Sequence, residues 1–264
     1  MRWSDILEEV AAFRQSVFDS KRAEPFYRGH PDHKWMLQPS LFRSSWNSAD
    51  PENLHVAESR LYWAFMQMGA HLLPPSPGTW ETLFTLQHFG VPTRLLDWTR
   101  SFSTALWFAL AEETQNDPCV WLLDPYLLNA IEAGNRCVFL PEHDFTPDNG
   151  HPVGYEPYVV DYDKKTFSGF PYRIASIAGS SSNPRVRSQS GVFTIHRDHS
   201  LDVLSDHALS PCFKKISIPK SLLPEARLFL NLAGVNAATI FPDLHGISMY
   251  LKRAILSPHT NVTI

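Results

Sequence analysis

Apolar side chains recur at helical spacing in several segments of the chain. Residues 3–19 and the segment from about Pro51 to Leu72 place apolar residues three or four positions apart, which predicts two amphipathic helices. The second helix ends before the proline-rich residues 74–78, and Thr79 is expected to cap a third helix that ends at Gly90. Later helices are predicted over Thr104–Glu113 with Ser101 as cap, from Pro125 to Gly134 with Asp124 as cap, from Pro224 to Gly234, and over about Gly246–Leu256.

Short runs of bulky and β-branched residues predict the strands. Residues 119–123 are continuously apolar, as is typical of a buried strand. The other segments expected to be extended are residues 26–28, 35–37, 158–160, 173–175, 192–195 and 214–218. Residues 141–157 contain many Pro, Gly, Asp and Asn residues and are expected to form an irregular loop.

Nothing along the chain separates it into parts, because there is neither an internal repeat nor a low-complexity linker. Its 264 residues are 44% hydrophobic, which is ample for a packed core. Helices are expected to dominate the first half and strands the second, with contacts between both. We therefore predict a single α+β domain over residues 1–264, in which a helix-rich first half packs on a mixed or antiparallel sheet.

The polar stretch Gln87–Thr99 stands between two strongly apolar helices, where a plain connector would need only turn residues. Arg94 and Asp97 lie beside leucines and a tryptophan, so both are expected to be partly buried and to need partners. Residues 26–30 and 185–193 are two further polar runs, and three such runs suggest one assembled site. A polar network that merely fixes a buried loop remains an alternative.

Arg28 follows two aromatic residues and precedes Gly29, where a chain can approach a ligand closely. Its guanidinium is suited to a phosphate or carboxylate, and the alternative is a buried ion pair with Asp97 or Glu81. Asp97 has three candidate roles: to orient Arg94, to act as a base, or to cap the residues that follow. Gln189, just ahead of a predicted strand, offers an amide at the strand entrance or forms an ordinary turn.

Composition and missing motifs exclude several classes of function. A net charge of -4 argues against a strongly electrostatic nucleic-acid or membrane-surface protein, and no apolar run approaches the roughly 18–20 residues that cross a bilayer. Acidic residues near the N-terminus and three scattered cysteines suggest a cytoplasmic protein without a disulfide framework. There is no HExxH, no GxSxG and no phosphate-binding loop, and residues 179–183 read as flexible. His30 with His33 and His196 with His199 lack a cysteine that would complete a zinc site, so no metal is expected.

The three polar runs, in this order, resemble the FRG domain, a family named for its Phe-x-Arg-Gly signature. That signature is present as residues 26–29, and the most specific block is residues 86–99 followed by Ala105–Ala109. Residues 187–193 are similar to the family's later Arg-x-Gln-x-Gly-x-Phe segment, and residues 241–246 to its closing motif. The resemblance covers about residues 20–255.

A more distant similarity connects the same motif order with ADP-ribosyltransferases. Those enzymes often show an aromatic-Arg-Gly strand, a Ser/Thr-rich strand leading into an Ala-x-x-Phe-Ala helix, and then a Glu-bearing strand. The resemblance implies that Arg28 holds the NAD pyrophosphate and that Thr99 or Ser101 supports the nicotinamide ribose. Gln189 stands where the catalytic glutamate is expected, and a neutral amide cannot supply its negative charge.

The resulting hypothesis is a cytoplasmic nucleotide-handling effector of a bacterial toxin or phage-defence system, with an ADP-ribosyltransferase-like core and NAD as candidate substrate. Catalysis is assigned to Arg28, Asp97, Gln189 and His88. Ligand binding is assigned to Tyr27, Gly29, Gln87, Thr93, Arg94, Thr99 and Ser101. The alternatives are a non-catalytic module that binds a protein or nucleic acid, and hydrolysis of an ADP-ribosyl bond with His88 and Asp97 as acid and base.

Overall fold

The computed structural model describes residues 2–21, 23–43, 51–73, 78–151, 154–155, 158, 170–179, 188–197 and 203–256. The helices are α1 (Trp3–Lys21), α2 (Ser40–Arg43), α3 (Pro51–Gly69), α4 (Thr79–His88), α5 (Phe102–Ala109), α6 (Pro125–Ala133), α7 (Pro141–Asp144), α8 (Leu223–Leu232), α9 (Ala237–Ile240) and α10 (Leu244–Leu256). The strands are β1 (Phe26–His30), β2 (Leu95–Thr99), β3 (Cys119–Leu123), β4 (Ile174–Ile177), β5 (Gly191–His196) and β6 (Phe213–Ser217). None of the described helices combines the length and the apolar character needed to span a bilayer.

The strands form one antiparallel sheet in the order β4-β5-β2-β1-β3-β6. At its centre β1 and β2 share one register pair among the described residues, Tyr27 with Thr99. Each of them pairs over five positions with its other neighbour, β3 and β5 respectively. The sheet therefore opens between β1 and β2 on one side of the Tyr27–Thr99 pair.

Three apolar clusters hold the layers together. On one face, α1, α5, α8 and α9 cover the half of the sheet that contains β1, β3 and β6. On the other half, α3 and α4 pack against β2, β4 and β5 through Trp80, Leu83 and Leu95. The opposite face buries Phe26, Trp98 and other side chains at alternate strand positions, as a pleated strand requires.

Helix α5 lies directly against β1 because residue 29 is glycine. A Cβ atom at Gly29 would lie 1.9 Å from the carbonyl oxygen of Ala105 and 2.5 Å from the amide nitrogen of Ala109. The close approach that the sequence suggested for a ligand is thus an approach of the helix backbone. This contact places the inner side of α5 next to the opening between β1 and β2.

Several local predictions are confirmed. The predicted helices are present with similar bounds, except that α5 ends at Ala109, four residues before the predicted Glu113, and α2, α7 and α9 were not predicted. Ser101 caps α5 by accepting a hydrogen bond from the Thr104 amide at 3.2 Å. Asp124 caps α6 in the same way, accepting from the amides of Tyr126 and Leu127. Gly134 ends that helix with a positive φ of 66°.

Other predictions are wrong. The cap of α4 is Gly78, without a side-chain hydrogen bond, and Thr79 is already helical. Leu95–Thr99 is not part of a connector between helices but a central strand, so three of the six described strands come from the first half of the chain. Residues 35–37 are irregular, and the loop predicted over residues 141–157 contains α7 and a short 3₁₀ turn at Pro147–Asn149. The segments 159–160 and 180–187 and His199 lie outside the described residues.

Candidate functional site

A cleft of about 400 Å³ opens where β1 and β2 separate. Its walls come from β1, β2, the start of β5, the end of α4 and the inner side of α5. Its polar side chains include Arg28, Gln87, His88, Asp97, Thr99, Glu112 and Gln189, and its aromatic ones include Tyr27, Trp35, Phe84, Trp98, Phe108 and Phe193. A pocket with aromatic walls and a few converging polar groups has the general form of a small-molecule site.

The half-buried guanidinium of Arg28 is held by two uncharged acceptors. Its Nε donates to Nε2 of His30 at 3.0 Å, and its Nη1 donates to the main-chain carbonyl of Asp97 at 2.6 Å. Burial lowers the pKa of Arg28 to about 10, and nearby Asp97 opposes that shift. Among the described residues Arg28 forms no carboxylate ion pair. It is therefore a partly desolvated cation, and within the described residues its Nη2 group has no hydrogen-bond partner.

A relay of hydrogen bonds fixes the carboxylate of Asp97. The Leu95 amide donates to Oγ1 of Thr93 at 3.1 Å, and this hydroxyl donates to Oε1 of Gln87 at 2.5 Å. The Nε2 of Gln87 then donates to Oδ2 of Asp97 at 2.6 Å. The side chain of Asp97 is exposed at the cleft, and within the described part of the chain Oδ1 has no partner. Asp97 thus presents an oriented carboxylate with one free oxygen.

Thr99 and Ser101 are largely occupied by contacts within the fold. The hydroxyl of Thr99 donates to the main-chain carbonyl of Gln189 at 2.6 Å and accepts from the Ser101 amide at 3.0 Å. The side-chain amide of Gln189 donates to the carbonyl of Ile240 at 3.2 Å. Thr99 and Gln189 still line the cleft, whereas Ser101 does not.

Arg94 lies outside the cleft and is completely buried. Its Nε contacts both carboxylate oxygens of Glu58 in α3 at 2.9 Å, and its Nη2 also contacts Glu58. The hydroxyl of Tyr155 donates to the same carboxylate at 2.7 Å. Arg94 therefore joins α3 to the start of β2, and Asp97 does not orient it.

Sequence reasoning missed Glu58, although its position carries a signal. It lies four residues after Leu54 and four before Tyr62, so a carboxylate interrupts the apolar stripe of α3. A buried acid in such a stripe requires a buried cation as its partner. Arg94, in the polar stretch, is that cation.

The remaining predicted site residues differ in whether they line the cleft. Tyr27 and Gly29 line the cleft, and the buried Tyr27 ring contacts Phe102 edge-on with a pKa raised to about 12 by burial. His88, the last residue of α4, lines it as well, whereas Thr93 does not line it and contacts Gln87, which does. Trp35 and Glu112 also line the cleft and had no signal of their own in the sequence.

Asp97 and Gln189 lie at different levels of the cleft. Thr99 pairs with Gly191, and Asp97, two residues before Thr99, pairs with Phe193, two residues after Gly191. Two residues of a strand span about 7 Å, so Asp97 does not occupy the position of Gln189. The cleft therefore contains the carboxylate of Asp97, but this group is displaced from Gln189 at the entrance of β5.

Of the comparisons with known proteins, one gives a match, and it covers only part of the chain. No curated protein and no solved structure matches it. A family model does match, over residues 23–118, a segment that runs from β1 to the residue before β3. It contains Arg28, Gln87 and Asp97, while Gln189 and residues 241–246 lie outside it. The matching model is that of the FRG domain, so residues 23–118 are similar to that family.

Proposed function

We propose that the cleft binds a nucleotide of the ADP-ribose type, with NAD as substrate, and that the protein is an ADP-ribosyltransferase-like effector of a toxin or phage-defence system. One observation carries the proposal: Arg28, Asp97 and Gln189, from three separate polar runs, line a single cleft. The strands β1, β2 and β5 that bring them together are neighbours in the sheet. The distant resemblance to ADP-ribosyltransferases supports the proposal through Arg28 and Thr99, whereas Gln189 stands where that resemblance expects a glutamate.

The charged side chains of the cleft support a ligand that has both a negatively charged and a positively charged group. Arg28 is a cation without a direct carboxylate partner in the described structure, which suits the diphosphate of NAD. Asp97 and Glu112 add two carboxyl groups to the same cleft. The oxidised nicotinamide ring of NAD is a cation, so a carboxylate beside it is favourable.

The aromatic walls support a ligand with flat rings. Phe84 and Phe193 stack on each other with centroids 5.1 Å apart, and both line the cleft. Trp35 is 42% exposed and lines the same cleft. A nucleobase that stacks on such a ring gains roughly 1–3 kcal/mol.

The chemistry assigned to Asp97 follows from its position. Cleavage of NAD breaks the bond between C1′ of the ribose and nicotinamide, which leaves with the electron pair, and positive charge develops on the ribose. A fixed carboxylate stabilises that charge and takes a proton from the attacking hydroxyl group or water. Gln189 is neutral and serves as a hydrogen-bonding group only.

Calorimetric titration of NAD and ADP-ribose into the purified chain tests the binding. We expect saturable heat with wild type and about 10- to 100-fold weaker binding in Arg28→Ala, because a charge-assisted hydrogen bond is lost. Arg136→Ala is the control, since Arg136 is exposed and does not line the cleft. Absence of binding in wild type would remove the proposal.

A non-catalytic protein-binding module is the second candidate, favoured by Gln189 itself. Its amide is bonded to the carbonyl of Ile240 and carries no charge, so Gln189 supplies no acid at the strand entrance. Binding of a partner that recognises surface shape alone would be indifferent to Asp97→Asn. Unchanged partner capture by that variant, together with no release of nicotinamide by wild type, would favour this candidate.

A further inference from the structure

His30 follows Arg28 by two residues on β1, so both side chains lie on the same face of the strand. The imidazole is 3% exposed, and its Nε2 is 3.0 Å from Nε of Arg28. The Nε of an arginine always carries a hydrogen, so Nε2 of His30 must be the acceptor. His30 is therefore a neutral imidazole with its hydrogen on Nδ1.

The surroundings of His30 keep it neutral. Burial lowers its pKa to about 3, and the cations Arg28, Arg43 and Lys215 act in the same direction. The main chain of Trp35 acts in the opposite direction and is outweighed. If Nε2 of His30 were also protonated, its N–H group would face the Nε–H group of Arg28, and two donors would oppose each other. A neutral acceptor at this position is thus maintained over the whole physiological pH range.

A neutral acceptor differs from a carboxylate because it does not compensate the positive charge of the arginine. A carboxylate beside Arg28 would fix its geometry and at the same time neutralise its charge. His30 and the carbonyl of Asp97 fix the Nε and Nη1 groups and leave the charge uncompensated. The Nη2 group then remains for an anion that enters the cleft.

We propose that His30 is a positioning residue for Arg28, which presents the guanidinium to the anionic group of a ligand without neutralising it. The inference rests on the proposed nucleotide site and adds a determinant of its preference for charged ligands. It predicts that changes at residue 30 affect ligands with a diphosphate and spare uncharged nucleosides.

The test is calorimetric titration of ADP-ribose and of adenosine into wild type and three variants. His30→Leu removes the acceptor and is expected to weaken ADP-ribose binding about ten-fold or more. His30→Gln restores a neutral acceptor and is expected to remain within a few-fold of wild type. His30→Glu keeps an acceptor but adds negative charge, so ADP-ribose binding is again weakened. Adenosine binding is expected to stay the same in all four proteins.

The outcomes separate this inference from the proposed function. If wild type binds no ADP-ribose, the proposed function fails. If wild type binds and His30→Leu binds as tightly, the positioning role fails and the site stands. Equal losses of ADP-ribose and adenosine would show a merely structural role. Should a variant not fold, nitrogen NMR of wild type at pH 5–8 decides, since a protonated Nε2 on His30 overturns the inference.

Discussion

Arg94 and Glu58 form a completely buried ion pair that joins helix α3 to the start of the central strand β2. The two residues lie 36 positions apart along the chain. Removal of one partner leaves an uncompensated buried charge, which typically costs 3–5 kcal/mol. We expect Glu58→Met and Arg94→Met each to lower the free energy of unfolding by about that amount, measured by urea denaturation.

The matched control for this pair is the double variant Glu58→Met with Arg94→Met. It removes both charges, so it is expected to be more stable than either single variant. A double variant in which the two losses simply add would contradict the account of Arg94 as a structural partner of Glu58.

The backbone contact at Gly29 gives a second stability prediction. Gly29→Ala must displace α5 from β1, since the new Cβ would overlap the carbonyl of Ala105. Overpacking of this kind costs about 1–3 kcal/mol, and a clash with backbone belongs at the upper end. Gly69→Ala is the control, because its Cβ would meet only the Leu73 side chain at 3.9 Å or more. Thermal unfolding of both variants checks the difference, and equal melting temperatures would refute the close packing.

The sequence predicts most helices because their signals are local. The side-chain caps at Ser101 and Asp124 and the glycine at the end of α6 depend on residues within one turn. Strand β2 was missed as an element because Asp97 interrupts its apolar run and the strand is only five residues long. Its place at the centre of the sheet depends on pairing with β5, more than 90 residues away, which no local pattern encodes.

The candidate site was also predicted only in part, because some of its residues come together only through tertiary contacts. The resemblance grouped Arg28, Asp97 and Gln189, and the structure places all three at one cleft. Arg94 was grouped with them because it lies in the same polar stretch, yet its side chain enters the core between α3 and β2. Glu112 and Trp35 reach the cleft through tertiary packing and were not predicted.

The relay through Gln87 leads to a prediction about catalysis. Gln87→Leu removes the donor that holds Oδ2 of Asp97, so the carboxylate loses its fixed orientation. We expect nicotinamide release to fall about ten-fold in kcat with little change in KM, since a misplaced group affects the transition state most. Gln115→Leu, at an exposed position that does not line the cleft, is the control. A change in KM alone would contradict the orienting role.

His30 makes stability depend on pH in a defined direction. Its pKa is about 3 in the folded protein against an ordinary 6.5, so the unfolded chain binds more protons between these values. Its contribution to stability is complete above about pH 6.5 and is lost as the pH falls towards 3. Between pH 6.5 and 4 we expect wild type to lose about 3 kcal/mol more than His30→Gln. The free energy of unfolding of both proteins is measured by urea denaturation at each pH. If it falls equally with pH in wild type and in His30→Gln, the predicted contribution of His30 is ruled out.

The most direct measurement is a crystal structure of the protein with ADP-ribose. The account predicts that the ligand lies in the cleft between β1 and β2, with its diphosphate within hydrogen-bonding distance of the Arg28 guanidinium and its ribose facing Asp97. It further predicts that Arg94 keeps its contact with Glu58 and does not touch the ligand. A ligand bound away from Arg28, or a cleft that stays empty at saturating ADP-ribose, would contradict it.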